Sequence, residues 1–315
     1  MTSAETSPPA FRWDEWYGSI GGRRINIKEV NSILNEIREH QYPRFKGDVN
    51  PTPVKFASPA LAAAAIKDKA RELGADEVGI AEIEPSDIYK GREVQEKHAI
   101  VVAQRMLWRN FQDVPSDDSA VECLRVYFTL GEVVIQLADY LRSLGYACTV
   151  EHPIGDSDVL HVPLALKAGF GELGRHGSII HPRMGPLFRL GSVITDMDLQ
   201  IDHPIDAGIA AFCDNCKACR IYCPADAIPD HRSPEAGKDH LGNDRYMVDT
   251  GKCFPYFGTH GYCSICLPVC VYHHKEWARD FEGFQTKLFP NVAMKEPPPP
   301  VDPEIPKHWY PKIKR

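Results

Sequence analysis

Eight of the ten cysteines fall between Cys213 and Cys270, and their spacing carries chemistry. Cys213, Cys216, Cys219 and Cys223 read C-x2-C-x2-C-x3-C, with Pro224 directly after. Three thiolates this close wrap one iron–sulfur cubane only if the chain loops tightly around it. The fourth, set apart by the turn at the proline, serves a neighbouring cluster. Structural zinc, the plainer alternative, favours paired C-x2-C knuckles with a longer loop between them. A second set follows in Cys253, Cys263, Cys266 and Cys270. The long gap after Cys253 departs from the usual spacing, yet the ligand count still closes. By the cross-over rule one 4Fe–4S cluster takes Cys213, Cys216, Cys219 and Cys270. The other takes Cys223, Cys253, Cys263 and Cys266. Two adjacent clusters make an electron relay. Cys123 and Cys148 lie in apolar stretches and read as simple buried thiols.

Such thiols need a scaffold, and composition bounds it. The chain has 315 residues, 43% hydrophobic and 25% charged, with a net charge of −7. That balance fits a folded protein with a sizeable core and argues against nucleic acid as a main partner. A disulfide framework would be short and secreted, so clustered thiols here mean metal. No apolar run reaches the ~20 residues of a membrane span. The first residues lack the apolar core of a signal peptide, and Arg23–Arg24 precede a polar amphipathic helix, so a cytoplasmic location is expected.

The remaining pattern alternates helix and strand. Val30, Ile33, Leu34 and Ile37 recur at helical spacing within an N-terminal extension, residues 1–55. Ser58, Pro59 and Gly74 mark the cap, first position and end of a second helix. GADEVGIAEI and HAIVVAQRM read as strands, and Val121 to Leu144 as a long helix ending at Gly145. ACTVEH, GSIIHP and RLGSVITDM supply further strands, and DVLHVPLALKAGF a helix closing at Gly169. Residues 56–205 are thus expected to form one layered domain of α/β or α+β class. Residues 206–275 form a loop-dominated cysteine module, and 276–315 a proline-rich extended tail.

GFGELG at 169–174 matches G-x-G-x-x-G, but it follows a helical stretch rather than a strand, so a dinucleotide site is not expected. The D-x-H-x-x-G signature of a His-ligated corrinoid is absent.

VPLALKAGFGELGRHGSIIHPRMGPLFRLGSVITDMDL, followed by CDNCKACRIYCPADAI, resembles the core of the corrinoid-dependent reductive dehalogenases. The likeness extends upstream through AAIKDKARELGADEVGIAEI and RVYFTLGEVVIQLADYLRSLGY, and downstream into KCFPYFGTHGYCSICLPVC. The resemblance implies a nitroreductase-like domain binding cobalamin base-off beside a C-terminal, bacterial ferredoxin-like domain with two clusters. It implies that Tyr127 donates a proton, that Arg189 assists it, and that His152 stands near a polar substrate-pocket position. Gly171, Gly174, Arg175 and Gly177 match the family's G-E-x-G-R-x-G loop, which lies against the corrinoid. A small organic, halogenated substrate and a ferredoxin- or flavodoxin-type electron donor follow from the same resemblance. Respiratory members are longer and carry a true export signal, so a catabolic or biosynthetic reductase is the form expected here. The competing reading is a non-catalytic iron–sulfur carrier, or a reductive activator of another corrinoid protein.

Overall fold

The computed structural model describes residues 26–155 and 157–273, together with Lys287 and Asn291. Arg23–Arg24 and the expected proline-rich tail lie outside the described residues.

The elements follow the local signals closely. Helix α1 (Lys28–Glu36) buries Val30 and Ile33. Helix α2 (Pro59–Glu72) starts where Ser58 Oγ accepts a hydrogen bond from the Leu61 N–H at 3.3 Å, and Gly74 follows its end at φ 108. Strands β1 (Glu77–Glu82) and β2 (His98–Arg105) come next. Helix α3 (Asp117–Ser143) begins a turn before its apolar stripe, because Ser116 and Ser119 form a reciprocal cap with Asp117 and Asp118 in the first turn. Strand β3 (Cys148–Glu151), helix α4 (His161–Lys167) and the short strands β4 (Glu172–Leu173) and β5 (Ile179–Ile180) lead to β6 (Phe188–Thr195). The cysteine module contributes α5 (Ile209–Asn215), α6 (Ala218–Ile221), a ribbon of β7 (Ser233–Lys238) and β8 (Asp244–Arg245), and α7 (Thr250–Thr259).

The main sheet has the order β1-β2-β6-β3, and every neighbouring pair is antiparallel. The mixed helix and strand content matches the sequence reading, and the antiparallel pairing makes the layers those of an α+β rather than a parallel α/β sheet. Strand parity divides the core. Val78, Ile80, Ile100, Val102 and Val193 pack with α2 and α3 on one face. Ala81, Ala99, Val101, Ala103 and Ile194 pack with α4 and Phe170 on the other. A third cluster joins Ile180 to Ile209, Cys213, Tyr246, Cys270 and Tyr272, so the cysteine module is fastened to the β4–β5 hairpin by apolar contact.

One element overturns an expectation. The stretch between Cys253 and Cys263 is not loop. Most of it is α7, capped by Asp249, whose side chain accepts from the Lys252 N–H at 3.1 Å. That helix accounts for the long gap in the second cysteine set, despite Pro255 inside it.

Candidate functional site

Two groups of thiols form within the module. The Cys270 thiol lies within electrostatic reach of Cys213, Cys219 and Cys216. Cys266 lies within reach of Cys253, Cys219, Cys263 and Cys223. Cys219 is felt from both groups, so the two sets abut. Burial, with smaller contributions from Cys219 and Cys216, pushes the Cys213 thiol up to about 12. Burial pushes Cys219 up to about 11, and raises Cys266 and Cys270 as well. Thiols crowded this way do not ionise together in an apolar surround unless a cation compensates them. Among the described residues, no three His, Cys, Asp or Glu side chains converge at the spacing of a single metal ion. A lone zinc would draw four sulfurs to ~2.3 Å from one point. A cubane spreads its four thiolates over separate irons, and the donor sets fit a body of that kind.

The GELGR segment holds this module in place. Glu172, 1% exposed, accepts hydrogen bonds from the backbone N–H groups of Ala207 (2.5 Å), Ile209 (3.2 Å) and Ala210 (2.8 Å). Those of Ile209 and Ala210 belong to the first turn of α5, where the helix itself leaves them unsatisfied. Arg175, also 1% exposed, grips the other end. Its Nη2 donates to the carbonyls of Cys213 (2.6 Å) and Asp214 (3.2 Å), and its Nε to that of Cys216 (3.2 Å). Its Nη1 donates to the carbonyls of Pro229 (3.0 Å) and Asp230 (2.5 Å).

The four residues expected at the corrinoid are placed differently from one another. The Arg175 side chain is spent on the cysteine backbone and does not line the cavity described below. Gly171 is required by close approach, since at φ 144 a Cβ would sit 2.0 Å from the Ile180 carbonyl oxygen. A Cβ at Gly174 would meet Ile180 and the His176 ring. Of the four residues, Gly177 alone borders the cavity.

That cavity, about 230 Å³, is lined by Tyr127 from α3, Pro153, His161 and Val162 at the start of α4, Gly177–Ile179, and Arg189 from β6. Leu267, the residue after Cys266, completes the wall. The Arg189 guanidinium carbon stands 5.1 Å from the centre of the Tyr127 ring. Its Nη2 donates to Cys123 Sγ at 2.9 Å, one helical turn before Tyr127. Burial opposes its charge, but Cys123 and Tyr127 beside it more than offset that and keep it a firmly protonated cation. Cys123, read as a plain buried thiol, is therefore the anchor of Arg189.

His152 is set apart from this cavity. It is 2% exposed, its Nε2 is 2.9 Å from Gln41 Oε1, and its ring stacks on Phe45 at 5.4 Å. Burial pushes its pKa down to about 4. Its neighbour Pro153 lines the cavity, as does His161, which the sequence did not single out. His161 Nδ1 lies 3.1 Å from Ser192 Oγ, and burial holds it near 4. A larger groove of about 460 Å³ runs along another face of α3, past Glu72, Phe128, Glu132 and Gln136. It contains none of the expected site residues.

The cavity's polar edge fits a large ligand rich in hydrogen-bond acceptors. Arg189 Nε, on the cavity wall, is buried and has no hydrogen-bond partner among the described residues. The enclosed space is that of a small organic molecule, so a corrin macrocycle would need the open side as well. Gly177, at φ 78, and the backbone after it would form its near wall.

The chain is similar in sequence and fold to known proteins. A tetrachloroethene reductive dehalogenase of Desulfitobacterium hafniense is 31% identical over 224 residues, covering 68% of this chain and 40% of that protein. A catabolic reductive dehalogenase solved in complex with 3-bromo-4-hydroxybenzoic acid superposes with a TM-score of 0.70 at 26% identity, covering 82% of this chain and 38% of that one. A reductive dehalogenase structure described as suggesting a mechanism for B12-dependent dehalogenation gives a TM-score of 0.66 at 25% identity, covering 82% and 39%. No family model matches the chain. The chain spans 40% of the length of the first curated relatives it matches. Among the described residues, no helix is long and apolar enough to cross a membrane.

Proposed function

Because the chain belongs to the reductive dehalogenase family, we propose that it is a corrinoid-dependent reductase replacing a carbon-bound halogen by hydrogen. The observation that carries this reading is one cavity bordered by Tyr127, Arg189 and the residue next to Cys266. A proton source, a fixed cation and an electron relay meet there.

Each turnover takes two electrons and one proton, forms a carbon–hydrogen bond and releases halide. Cys213, Cys216, Cys219 and Cys270 would hold one 4Fe–4S cluster, and Cys223, Cys253, Cys263 and Cys266 the other. The nitroreductase-like and ferredoxin-like division belongs to the same reading. Cobalamin bound base-off beside Gly177–Ile179 would supply the low-valent cobalt that reduces the carbon–halogen bond. Tyr127 gives its Oη proton to the carbon left behind. A tyrosine hydroxyl ordinarily titrates near pH 10, so it is a weak acid, and a guanidinium against its ring makes the loss easier. Cys123 holds that guanidinium in place. His161 stays neutral above about pH 4 and adds no competing charge. Val162, Phe188, Leu190 and Leu267 give the cavity apolar walls that exclude water and suit a halogenated aromatic.

The test is anaerobic turnover of 3-bromo-4-hydroxybenzoic acid by cofactor-loaded protein in deuterated water, with reduced ferredoxin as donor. Bromide release with deuterium at the vacated carbon is the expected result. No halide release from this or other halogenated aromatics, with both cofactors bound, would leave the electron-carrier or activator reading.

A further inference from the structure

Arg175 presents a problem that its hydrogen bonds alone do not solve. Its guanidinium is fully buried, and all its hydrogen bonds go to backbone carbonyls. Those dipoles solvate the charge but supply no opposite one. Among the described residues no carboxylate pairs with it. Asp214, within its electrostatic reach, is already bonded to Arg232 at 2.7 Å and to the Tyr246 hydroxyl. Both guanidinium groups stand over the Tyr246 ring, that of Arg175 4.3 Å and that of Arg232 4.9 Å from its centre. A buried charge without a counter-charge is strongly destabilising.

We infer that Arg175 is a positioning residue for the cluster proposed on Cys213, Cys216, Cys219 and Cys270, and that its charge balances the negative charge of that cluster. The inference rests on the two-cluster reading. A cubane carried by four thiolates is an anion, and one-electron reduction makes it more negative. A fixed cation behind the carbonyls of Cys213 and Cys216 stabilises the reduced form more than the oxidised one, so it raises the potential of this cluster. The other set receives no hydrogen bond from Arg175 and lies farther from its charge, so the effect is larger on the first cluster than on the second. That makes Arg175 a device that biases the cluster on Cys213, Cys216, Cys219 and Cys270 toward its reduced form.

The experiment is an EPR-monitored redox titration, with iron content, on wild-type holoprotein and on Arg175→Met and Arg175→Lys. Loss of the charge in Arg175→Met is expected to shift the reduction equilibrium of one cluster at least tenfold toward the oxidised form, about 59 mV for a one-electron couple. The second cluster is expected to shift less, and Arg175→Lys to fall between the wild type and Arg175→Met. Should Arg175→Met shed half its iron, retention of that iron by Arg175→Lys supports the charge role. Loss in both variants overturns it in favour of a backbone clamp alone. Full iron with both potentials unmoved in Arg175→Met also overturns it. A wild-type protein that assembles no pair of clusters refutes the underlying reading instead, which separates the two failures.

Discussion

Tyr127→Phe isolates the proton donor with little structural disturbance. The ring remains on α3, with Arg189 still able to lie over its face at about the 5.1 Å seen here. Among the described residues the Tyr127 hydroxyl has no hydrogen-bond partner, so its removal leaves no buried group unsatisfied. A stability change within about 1 kcal/mol is expected. The chemical cost is larger. A positioned general acid contributes about a hundred- to ten-thousand-fold. That corresponds to about 2.7–5.4 kcal/mol of barrier. The assay is halide release under single-turnover conditions, with cobalt and iron verified equal in both proteins. A rate at least a hundredfold lower, with an unchanged thermal midpoint, is expected. A Tyr127→Phe rate within a few-fold of wild type would refute Tyr127 as the donor and leave solvent as the source of the proton.

Three other perturbations follow from the geometry. Cys123→Ala removes the acceptor of Arg189 Nη2, and should slow the same step about tenfold or more while both clusters remain; an unchanged rate would show that the sulfur does not position Arg189. Gly171→Ala forces a Cβ to 2.0 Å from the Ile180 carbonyl at φ 144, and strain plus overpacking should cost on the order of 3 kcal/mol or more by thermal melting. Gly237→Ala, also at positive φ but with open space around it, is the milder control. His152 is held neutral by burial at about 4 in the folded protein, below its unfolded value near 6.5. Between those values the unfolded chain binds the extra proton, so stability rises with pH through the window and is lost as pH falls from about 6.5 toward 4. In denaturant titrations His152→Gln should reduce that slope without abolishing it, because His161 and His176 are also held near 4, and an equal slope would place the acid sensitivity elsewhere.

Much of this was legible locally. Ser58, Pro59 and Gly74 mark their helix because capping, a fixed φ and a left-handed stop are properties of single residues. The cysteine spacing suggests two groups of thiols, and the fold gathers Cys270 with Cys213, Cys216 and Cys219, and Cys266 with Cys223, Cys253 and Cys263. What local pattern misses is where long side chains end. Arg175 and Gly177 are neighbours in one motif, yet Arg175 turns to the carbonyls of Cys213 and Cys216 while Gly177 faces the cavity. His152 and Pro153 divide in the same way. Cys123 looks like core until β6 brings Arg189 across to it, a pairing set by the antiparallel register and by nothing near Cys123 in sequence. The helix at Thr250–Thr259 was hidden by Gly251, Pro255 and Gly258, which argue for loop on propensity alone.

The central claim is that one cavity joins a corrinoid to an iron–sulfur relay, and its most direct test is metal content with the visible spectrum after anaerobic reconstitution with cobalamin, iron and sulfide. The account predicts about one cobalt and about eight irons per chain, four for each cubane, with corrinoid absorption that changes on reduction. About eight irons with no cobalt retained, even under saturating cobalamin, would contradict it and leave an iron–sulfur protein that delivers its electrons elsewhere.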